Sequence, residues 1–281
     1  MSTLPFVPPT IGVFDSGFGG LTVLRALMAR APQAQYVFIG DTARLPYGSK
    51  SRRTIARYAA QSARFLVEEQ GAEYLVIACN TASALALDDI KQAISSSVSV
   101  LGVIEPGAAT ARRASNTGDV LVIATDATVQ SHAYAAACAA KGLRALEKAC
   151  PLLVPLIEEG WTGNHVTAEV IRIYLDELLA EAAATGLNPD TLVLGCTHYP
   201  LIKPLIEAAV PAGMKIIDSA ESVADKLTQQ LSFDMGQPPA PGRADPQASF
   251  FATDSVEKFE RLGSRFLGRP VGHVELLDLG G

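Results

Sequence analysis

The sequence is poor in the residues from which metal sites are built. Its 281 residues include only four cysteines and four histidines. The cysteines, Cys79, Cys138, Cys150 and Cys196, show no CxxC or other metal-ligand spacing, and the histidines are scattered along the chain. We therefore expect no metal site.

Features of secreted and membrane proteins are also missing. The first ten residues, MSTLPFVPPT, lack the charged and apolar regions of a signal peptide. No apolar run reaches the roughly 20 residues that a membrane span needs. We expect a cytoplasmic protein with reduced thiols and no membrane partner.

The chain has fewer basic than acidic residues: 23 Lys and Arg against 29 Asp and Glu, for a formal net charge of −6. Nucleic acid is therefore not expected as a partner, because phosphate binding needs a basic face. The net charge does not attract an anionic small substrate either. Local hydrogen-bond donors would have to hold such a substrate.

Sequence motifs for organic cofactors are lacking as well. The glycines of GFGG, residues 17–20, do not form a GxGxxG fingerprint, and there is no P-loop. No lysine stands in a context that suggests a pyridoxal Schiff base. We expect an activity that needs no cofactor.

What the sequence does contain is an alternation of apolar, β-branched runs with helical segments. Strands are predicted at 10–16 and 35–41, and a long amphipathic helix at about 52–70. The pattern restarts at 118–131, where GDVLVIATDATVQS takes the place that IGVFDSG holds in the first half. This predicts an α/β fold with two similar, doubly wound, mainly parallel-sheet domains that face each other.

Two stretches repeat the same design, LVIACNTAS at 75–83 and LVLGCTHYP at 192–200. Each is a predicted buried strand that ends on a cysteine and is followed by helical sequence. Cys79 and Cys196 are therefore expected at the carboxyl ends of two strands, where open α/β sheets bind ligands. A buried cysteine usually acts as a small hydrophobe, and we keep that interpretation for Cys138 and Cys150.

Two equivalent thiols are suited to one kind of reaction in particular. Inverting a carbon that bears an acidic hydrogen needs a base on one face and an acid on the other. A thiol has an ordinary pKa of about 8.5, so both protonation states are accessible near neutrality. The pair Cys79 and Cys196 therefore predicts proton transfer on both faces of a substrate.

Supporting groups are expected close to both cysteines in the fold. Asp15, at the end of the first strand, is placed to orient Cys79 or to take its proton, and the alternative is that Asp15 or Ser16 only caps the next helix. His198 could serve Cys196 in the same way. Ser16, Asn80, Thr81 and Thr197 supply hydroxyls and amides for a carboxylate, and the loop with Tyr47 and Gly48 is a candidate for closing over the pocket.

The chain resembles the glutamate racemase family. The matching segments are GVFDSGFGGLTVL, GDTARLPYGSKS, ACNTAS, GVIEPG, VPLIEEG and LGCTHYPLI, in the family's order, and the tail with FFATDSVEKF and VGHVEL is also similar. The resemblance implies cofactor-independent interconversion of L- and D-glutamate for peptidoglycan synthesis. It also implies two α/β domains with the active site in the cleft between them.

The resemblance assigns roles to matching positions. Cys79, for D-glutamate, and Cys196, for L-glutamate, are implied as the proton donors and acceptors, with Asp15, His198 and Glu158 as supporting acid–base groups. The implied substrate contacts are Asp15, Ser16, Tyr47, Gly48, Asn80, Thr81, Thr197 and His198. From local sequence alone, a solvated helix face would be the default for Glu158.

The domain organisation follows from the same resemblance, which implies that the C-terminal segment packs on the first domain. We expect one discontinuous domain made of residues 1–103 and 215–281, a second made of 104–214, and a homodimer. One departure is Ala127, where the family often has glycine, so we do not expect Thr128 to contact the substrate.

Two alternatives stay open at this point. A related racemase, isomerase or decarboxylase on the same fold would act on another substrate, such as aspartate or a hydantoin. A regulatory protein would depend on a partner more than on its chemistry, and some members of the glutamate racemase family are reported to inhibit DNA gyrase. Nothing in the sequence marks a protein-binding surface.

Overall fold

The computed structural model describes residues 8–234 and 246–280. The strands are β1 (Thr10–Asp15), β2 (Gln35–Gly40), β3 (Tyr74–Ile77), β4 (Ser99–Gly102), β5 (Asp119–Ala124), β6 (Arg144–Ala149), β7 (Thr191–Gly195), β8 (Lys215–Asp218), β9 (Ala248–Ala252) and β10 (Val274–Leu276). The helices are α1 (Leu21–Arg30), α2 (Arg52–Arg64), α3 (Asn80–Leu85), α4 (Leu87–Ala93), α5 (Ile104–Ala114), α6 (Asp126–Gln130), α7 (Ala133–Ala139), α8 (Leu153–Glu158), α9 (His165–Ala184), α10 (Lys203–Ala209), α11 (Ser219–Asp234) and α12 (Val256–Leu267). Short 3-10 turns lie at Thr42–Arg44, Tyr47–Ser49 and Tyr199–Ile202, and α2 continues as a π-helical turn over Phe65–Glu69.

The strands form two parallel sheets. The first has six strands in the order β10-β9-β2-β1-β3-β4, and the second has four in the order β6-β5-β7-β8. Every described pairing within them is parallel. Helices cover the sheets, so their central strands are buried along nearly their whole length, which explains the continuous apolar runs in the sequence. The predicted α/β class with two parallel-sheet units is confirmed.

The C-terminal segment returns to the first sheet, as the resemblance implied. Strand β9 pairs with β2, and β10 pairs with β9. The predicted boundary at residue 215 is wrong by one strand, because β8 adds to the free edge of β7 in the second sheet. We therefore propose the two-domain division with the second domain running from 104 to 218.

Strand β6 was not predicted from the sequence. Its residues, RALEKA, are mostly strong helix formers, and all of them are half-buried or exposed because the strand lies at the edge of its sheet. The full register with β5, from Asp119 opposite Arg144 to Ala124 opposite Ala149, specifies this strand. Tertiary pairing here outweighs local propensity.

One apolar core is shared by the two sheets. The same cluster contains Ile11 and Val13 of the first sheet together with Val120 and Leu192 of the second. Helix α11 packs against both α1 and α5 at the junction. No helix in the described part of the chain is long and apolar enough to cross a membrane.

Candidate active site

The two predicted strand-end cysteines occupy equivalent places in the two sheets. Cys79 follows β3 and is the N-cap of α3, where its sulfur accepts a hydrogen bond from the backbone N–H of Ala82 at 3.4 Å. Cys196 directly follows β7. Both side chains are buried, with 5% of each residue exposed.

Both cysteines line one cavity of about 370 Å³ at the carboxyl ends of the two sheets. Most of the sequence-predicted site residues lie on its wall: Ser16, Tyr47, Gly48, Cys79, Asn80, Thr81, Glu158, Cys196, Thr197 and His198. Asp15 is buried behind this wall. Segments from both halves of the chain thus supply the wall.

The surroundings of Cys79 favour its neutral thiol. Burial raises the pKa of Cys79 to about 12, and the nearby Asp15 carboxylate adds to the rise. The thiol donates a hydrogen bond to Ser16 Oγ at 3.4 Å, and the contacts with Ser16 and Ala82 oppose the shift only in part. In this arrangement Cys79 holds a proton that it can donate.

Neither Asp15 nor Ser16 is the N-cap residue of the following helix, so that alternative interpretation is wrong. The N-cap of α1 is Gly20, although its backbone N–H lies close enough to the Asp15 carboxylate to lower the pKa of that group. Asp15 Oδ2 accepts from the backbone N–H of Gly17 at 3.0 Å, whereas Oδ1 has no hydrogen-bond partner among the described residues. Burial raises the pKa of Asp15, and His198 opposes that rise.

Cys196 lies beside a histidine instead. Its sulfur lies 3.9 Å from Nδ1 of His198, whose Nε2 lies 3.2 Å from Oε1 of Glu158. Burial alone would lower the pKa of His198, but the contacts with Cys196 and Glu158 outweigh burial and raise it to about 10. These contacts favour the imidazolium form of His198, a form that can stabilise negative charge on the Cys196 sulfur.

The glycines of GFGG make room for these groups. A Cβ at Gly19 would lie 2.3 Å from Thr197 Oγ1 and 2.5 Å from His198 Nδ1, and one at Gly20 would lie 2.5 Å from the Cβ of Asp15. The loop before α1 thus lies directly against residues of the second half. Thr22, in the first turn of α1, also donates to the backbone carbonyl of Thr197 at 3.0 Å.

Hydrogen bonds join the two halves at the other side of the cavity. The hydroxyls of Thr81, Thr125 and Thr128 lie 3.0–3.3 Å from one another, and Tyr134 donates to Asn80 Oδ1 at 2.7 Å. Thr128 is buried, and its hydroxyl is hydrogen-bonded within this cluster. The Nδ2 of Asn80 is buried with no hydrogen-bond partner among the described residues.

Tyr47 lies on the cavity wall, and its hydroxyl is hydrogen-bonded to a buried carboxylate. That hydroxyl donates to Oδ2 of Asp41 at 2.5 Å, and Asp41 Oδ1 accepts from Arg44 Nε and Thr253 Oγ1, each at 2.9 Å. This buried carboxylate anchors the loop with Tyr47 and Gly48.

Sequence analysis missed several wall residues. Thr125 and Asp126 follow β5 as Ser16 and Gly17 follow β1, and this equivalence was the signal that could have identified them. Cys150 also lines the wall, but its buried thiol donates to the carbonyl of Lys148 at 3.7 Å, in keeping with a structural cysteine. Among the described residues, no cluster of His, Cys, Asp or Glu is arranged to hold a metal ion.

Comparisons with known proteins agree on one family. A family model described as Asp/Glu/Hydantoin racemase matches residues 21–227. A glutamate racemase from Koribacter versatilis is 51% identical over 97% of this chain and 98% of its own length, and one from Geobacter metallireducens is 44% identical over 96% of each. The crystal structure of a Francisella tularensis glutamate racemase in complex with D-glutamate superposes with a TM-score of 0.84 at 36% identity, covering 96% of this chain and 98% of that one.

Proposed function

The chain belongs to the Asp/Glu/Hydantoin racemase family and is an amino-acid racemase, and on that premise we propose that it interconverts L- and D-glutamate by a two-thiol proton transfer. One observation carries the proposal. Cys79 and Cys196 line a single cavity from two different sheets, one beside a carboxylate and the other beside an imidazolium. This gives an acid and a base of the same chemical type in one site.

Glutamate would be held mainly by neutral donors. The described cavity wall contains no lysine or arginine, so apart from His198 its binding groups are hydroxyls, amides and backbone N–H groups. Asn80 Nδ2, Thr81 Oγ1 and Thr197 Oγ1 are suited to the carboxylates. Fixing both carboxylates would leave the Cα–H bond between the two sulfurs.

From L-glutamate, the Cys196 thiolate removes the Cα proton and becomes a thiol. The electron pair left on Cα then takes the proton of the Cys79 thiol on the opposite face, which forms D-glutamate and a Cys79 thiolate. His198, held by Glu158, stabilises the Cys196 thiolate, and Asp15 accepts or returns the proton of Cys79. Reversal of these roles converts D-glutamate to L-glutamate. Positioned acid–base groups of this kind contribute about 10²–10⁴-fold each to the rate.

The first test is circular dichroism of L-glutamate with purified protein and no added pyridoxal phosphate, in deuterated solvent. Decay of the signal to zero, with deuterium entering Cα, is the expected result. Decay with L-aspartate but not with L-glutamate would keep the mechanism and replace the substrate. Inertness toward every amino acid would contradict the proposal and favour a binding role.

The two-thiol mechanism is tested by Cys79→Ser and Cys196→Ser. Each should lower racemisation at least about 100-fold, because a hydroxyl is a far weaker acid than a thiol. Because the two enantiomers have equal free energies, kcat/KM must be equal in both directions in every variant. The separate roles of Cys79 and Cys196 therefore show only in exchange of the Cα proton with solvent. Cys196→Ser should still exchange the Cα proton of D-glutamate, and Cys79→Ser that of L-glutamate.

Cys138→Ser is the matched control, because Cys138 is a buried cysteine of α7 that does not line the cavity. It should keep near wild-type turnover. Near wild-type turnover in either of the two cavity variants would defeat the mechanism.

The cellular role follows from the proposed reaction. We propose that the protein supplies D-glutamate for peptidoglycan synthesis in the cytoplasm and acts as a homodimer. The support is the similarity to glutamate racemases over nearly the full chain. Sedimentation of the purified chain tests the oligomeric state, and dependence of growth on added D-glutamate after gene deletion tests the role.

A further inference from the structure

The C-terminal helix α12 belongs to the first half of the molecule, yet it contacts the His198–Glu158 pair of the second half. We propose that Lys258 and Phe266 of this helix are positioning residues for that pair, an inference that rests on the proposed function. Neither residue lines the cavity in the described part of the chain. They act on the reaction only through the groups they hold.

Lys258 fixes the carboxylate of Glu158 from the side opposite to the histidine. Its Nζ lies 4.0 Å from Oε2 of Glu158, while Oε1 of the same carboxylate lies 3.2 Å from Nε2 of His198. Lys258 Nζ is itself placed 5.5 Å from the ring centroid of Phe18, which favours a cation over the ring. Each oxygen of Glu158 therefore faces a cation from a different half of the molecule.

Phe266 fixes the imidazole itself. The rings of His198 and Phe266 are 5.0 Å apart at an interplanar angle of 76°, an edge-to-face contact. Phe266 is 1% exposed and packs beside Phe18, and Phe18 also meets Phe259 of the same helix. Because this aromatic cluster is part of the apolar core shared by the two sheets, it gives His198 a rigid wall.

A third contact joins α12 to the end of α8, the helix that carries Glu158. Gly160 has a φ of +83°, and a Cβ there would lie 2.5 Å from Nη1 of Arg265. The guanidinium therefore packs directly on the backbone two residues after Glu158. Helix α12 thus meets the segment of Glu158 at two points and His198 at a third, which is the geometry of a support rather than of a chance contact.

The consequence concerns the spacing of the two proton-transfer groups. Cys79 and α12 belong to the first half, whereas Cys196, His198 and Glu158 belong to the second. By holding His198 and Glu158, α12 sets where the cation beside Cys196 lies relative to Cys79. Loss of this support should lower the rate of the chemical step more than it lowers the affinity for substrate.

The experiment is a double-mutant cycle in racemisation of glutamate with Lys258→Met, Glu158→Gln and the double variant. Lys258→Met should lower kcat by about fivefold, the upper range for a partly exposed ion pair, and leave KM within about twofold. If Lys258 acts through Glu158, the double variant should be no slower than Glu158→Gln alone. Lys258→Arg should restore kcat, since it keeps the cation.

Arg261→Met is the matched control, because Arg261 is an exposed cation on the same helix, and it should leave kcat and KM unchanged. Phe266→Leu should lower kcat with KM nearly constant; if it does not fold, the cycle with Glu158 decides alone. A wild-type kcat in Lys258→Met, or multiplicative losses in the double variant, would overturn the inference. An inactive wild-type protein would instead overturn the proposed function.

Discussion

Replacing Gly19 by alanine tests the idea that the GFGG loop exists to let the two halves meet at the active site. The added Cβ would lie 2.3 Å from Thr197 Oγ1 and 2.5–2.6 Å from Nδ1 and Cε1 of His198, whereas ordinary contacts begin near 3.4 Å. The neighbours must therefore move by about 1 Å. Both are predicted catalytic or binding groups on the cavity wall.

Two costs follow from that displacement, and they differ in size. A 1 Å misplacement of catalytic groups costs about 10²-fold in rate, so we expect Gly19→Ala to lower kcat by about that factor. Overpacking costs about 1–3 kcal/mol of unfolding free energy. In a chain of this length each kcal/mol lowers Tm by about 2–4 °C. The variant should therefore stay folded at assay temperature while losing nearly all of its activity.

The assay is polarimetric racemisation of L-glutamate beside a thermal melt, with Gly163→Ala as the control. Gly163 is exposed, its φ lies outside the left-handed region, and a Cβ there meets nothing within 4 Å. The control should keep wild-type kcat and Tm. Gly19→Ala with wild-type kcat would refute the argument that the glycine is needed for close approach. An equal loss of kcat in the two variants would refute it as well.

Two further predictions concern the effect of pH on variants that lack a carboxylate. Glu158→Gln should move the alkaline limb of the kcat–pH profile to lower pH. The reason is that the contact with Glu158 helps to raise the pKa of His198 to about 10, and His198 must stay protonated for catalysis. An unmoved alkaline limb in the variant would contradict this prediction. Asp190→Asn should lower the unfolding free energy by about 1–3 kcal/mol at pH 7, because the carboxylate accepts from Ser115 Oγ at 2.6 Å and from two backbone N–H groups. Although burial opposes it, these bonds hold the pKa of Asp190 below its usual range, so the stabilisation is present above pH 4 and is lost as pH falls. Urea unfolding of the variant across pH 3–7 should accordingly show a weaker acid dependence than the wild type.

Local sequence patterns predicted most strands and the place of both cysteines. Strands such as β3 and β7 are continuous apolar runs, since burial on both faces requires it, and the polar residue after each run marks the end that carries the site. The same approach missed β6, whose composition is that of a helix. It also assigned β8 to the first domain, whereas β8 pairs with β7 in the second sheet, because the residues of a strand do not determine which sheet edge it joins.

The roles of individual residues depended more strongly on tertiary context. Asp15 matched the pattern of a helix cap, yet the cap is Gly20 and the carboxylate lies buried behind the cavity wall. Tyr47 lies on the cavity wall, and its hydroxyl is bound to Asp41. Both outcomes depend on partners that the local pattern does not contain.

The sequence by itself determined the fold class, the two strand-end thiols and the order of the family motifs, because strand period, helix period and turn chemistry act over a few residues. Only the tertiary structure decided which groups surround each thiol. Gly19 meets Thr197, and Lys258 meets Glu158, across separations of 178 and 100 residues. Contacts over such distances follow from the packing of whole elements, and no local pattern encodes them.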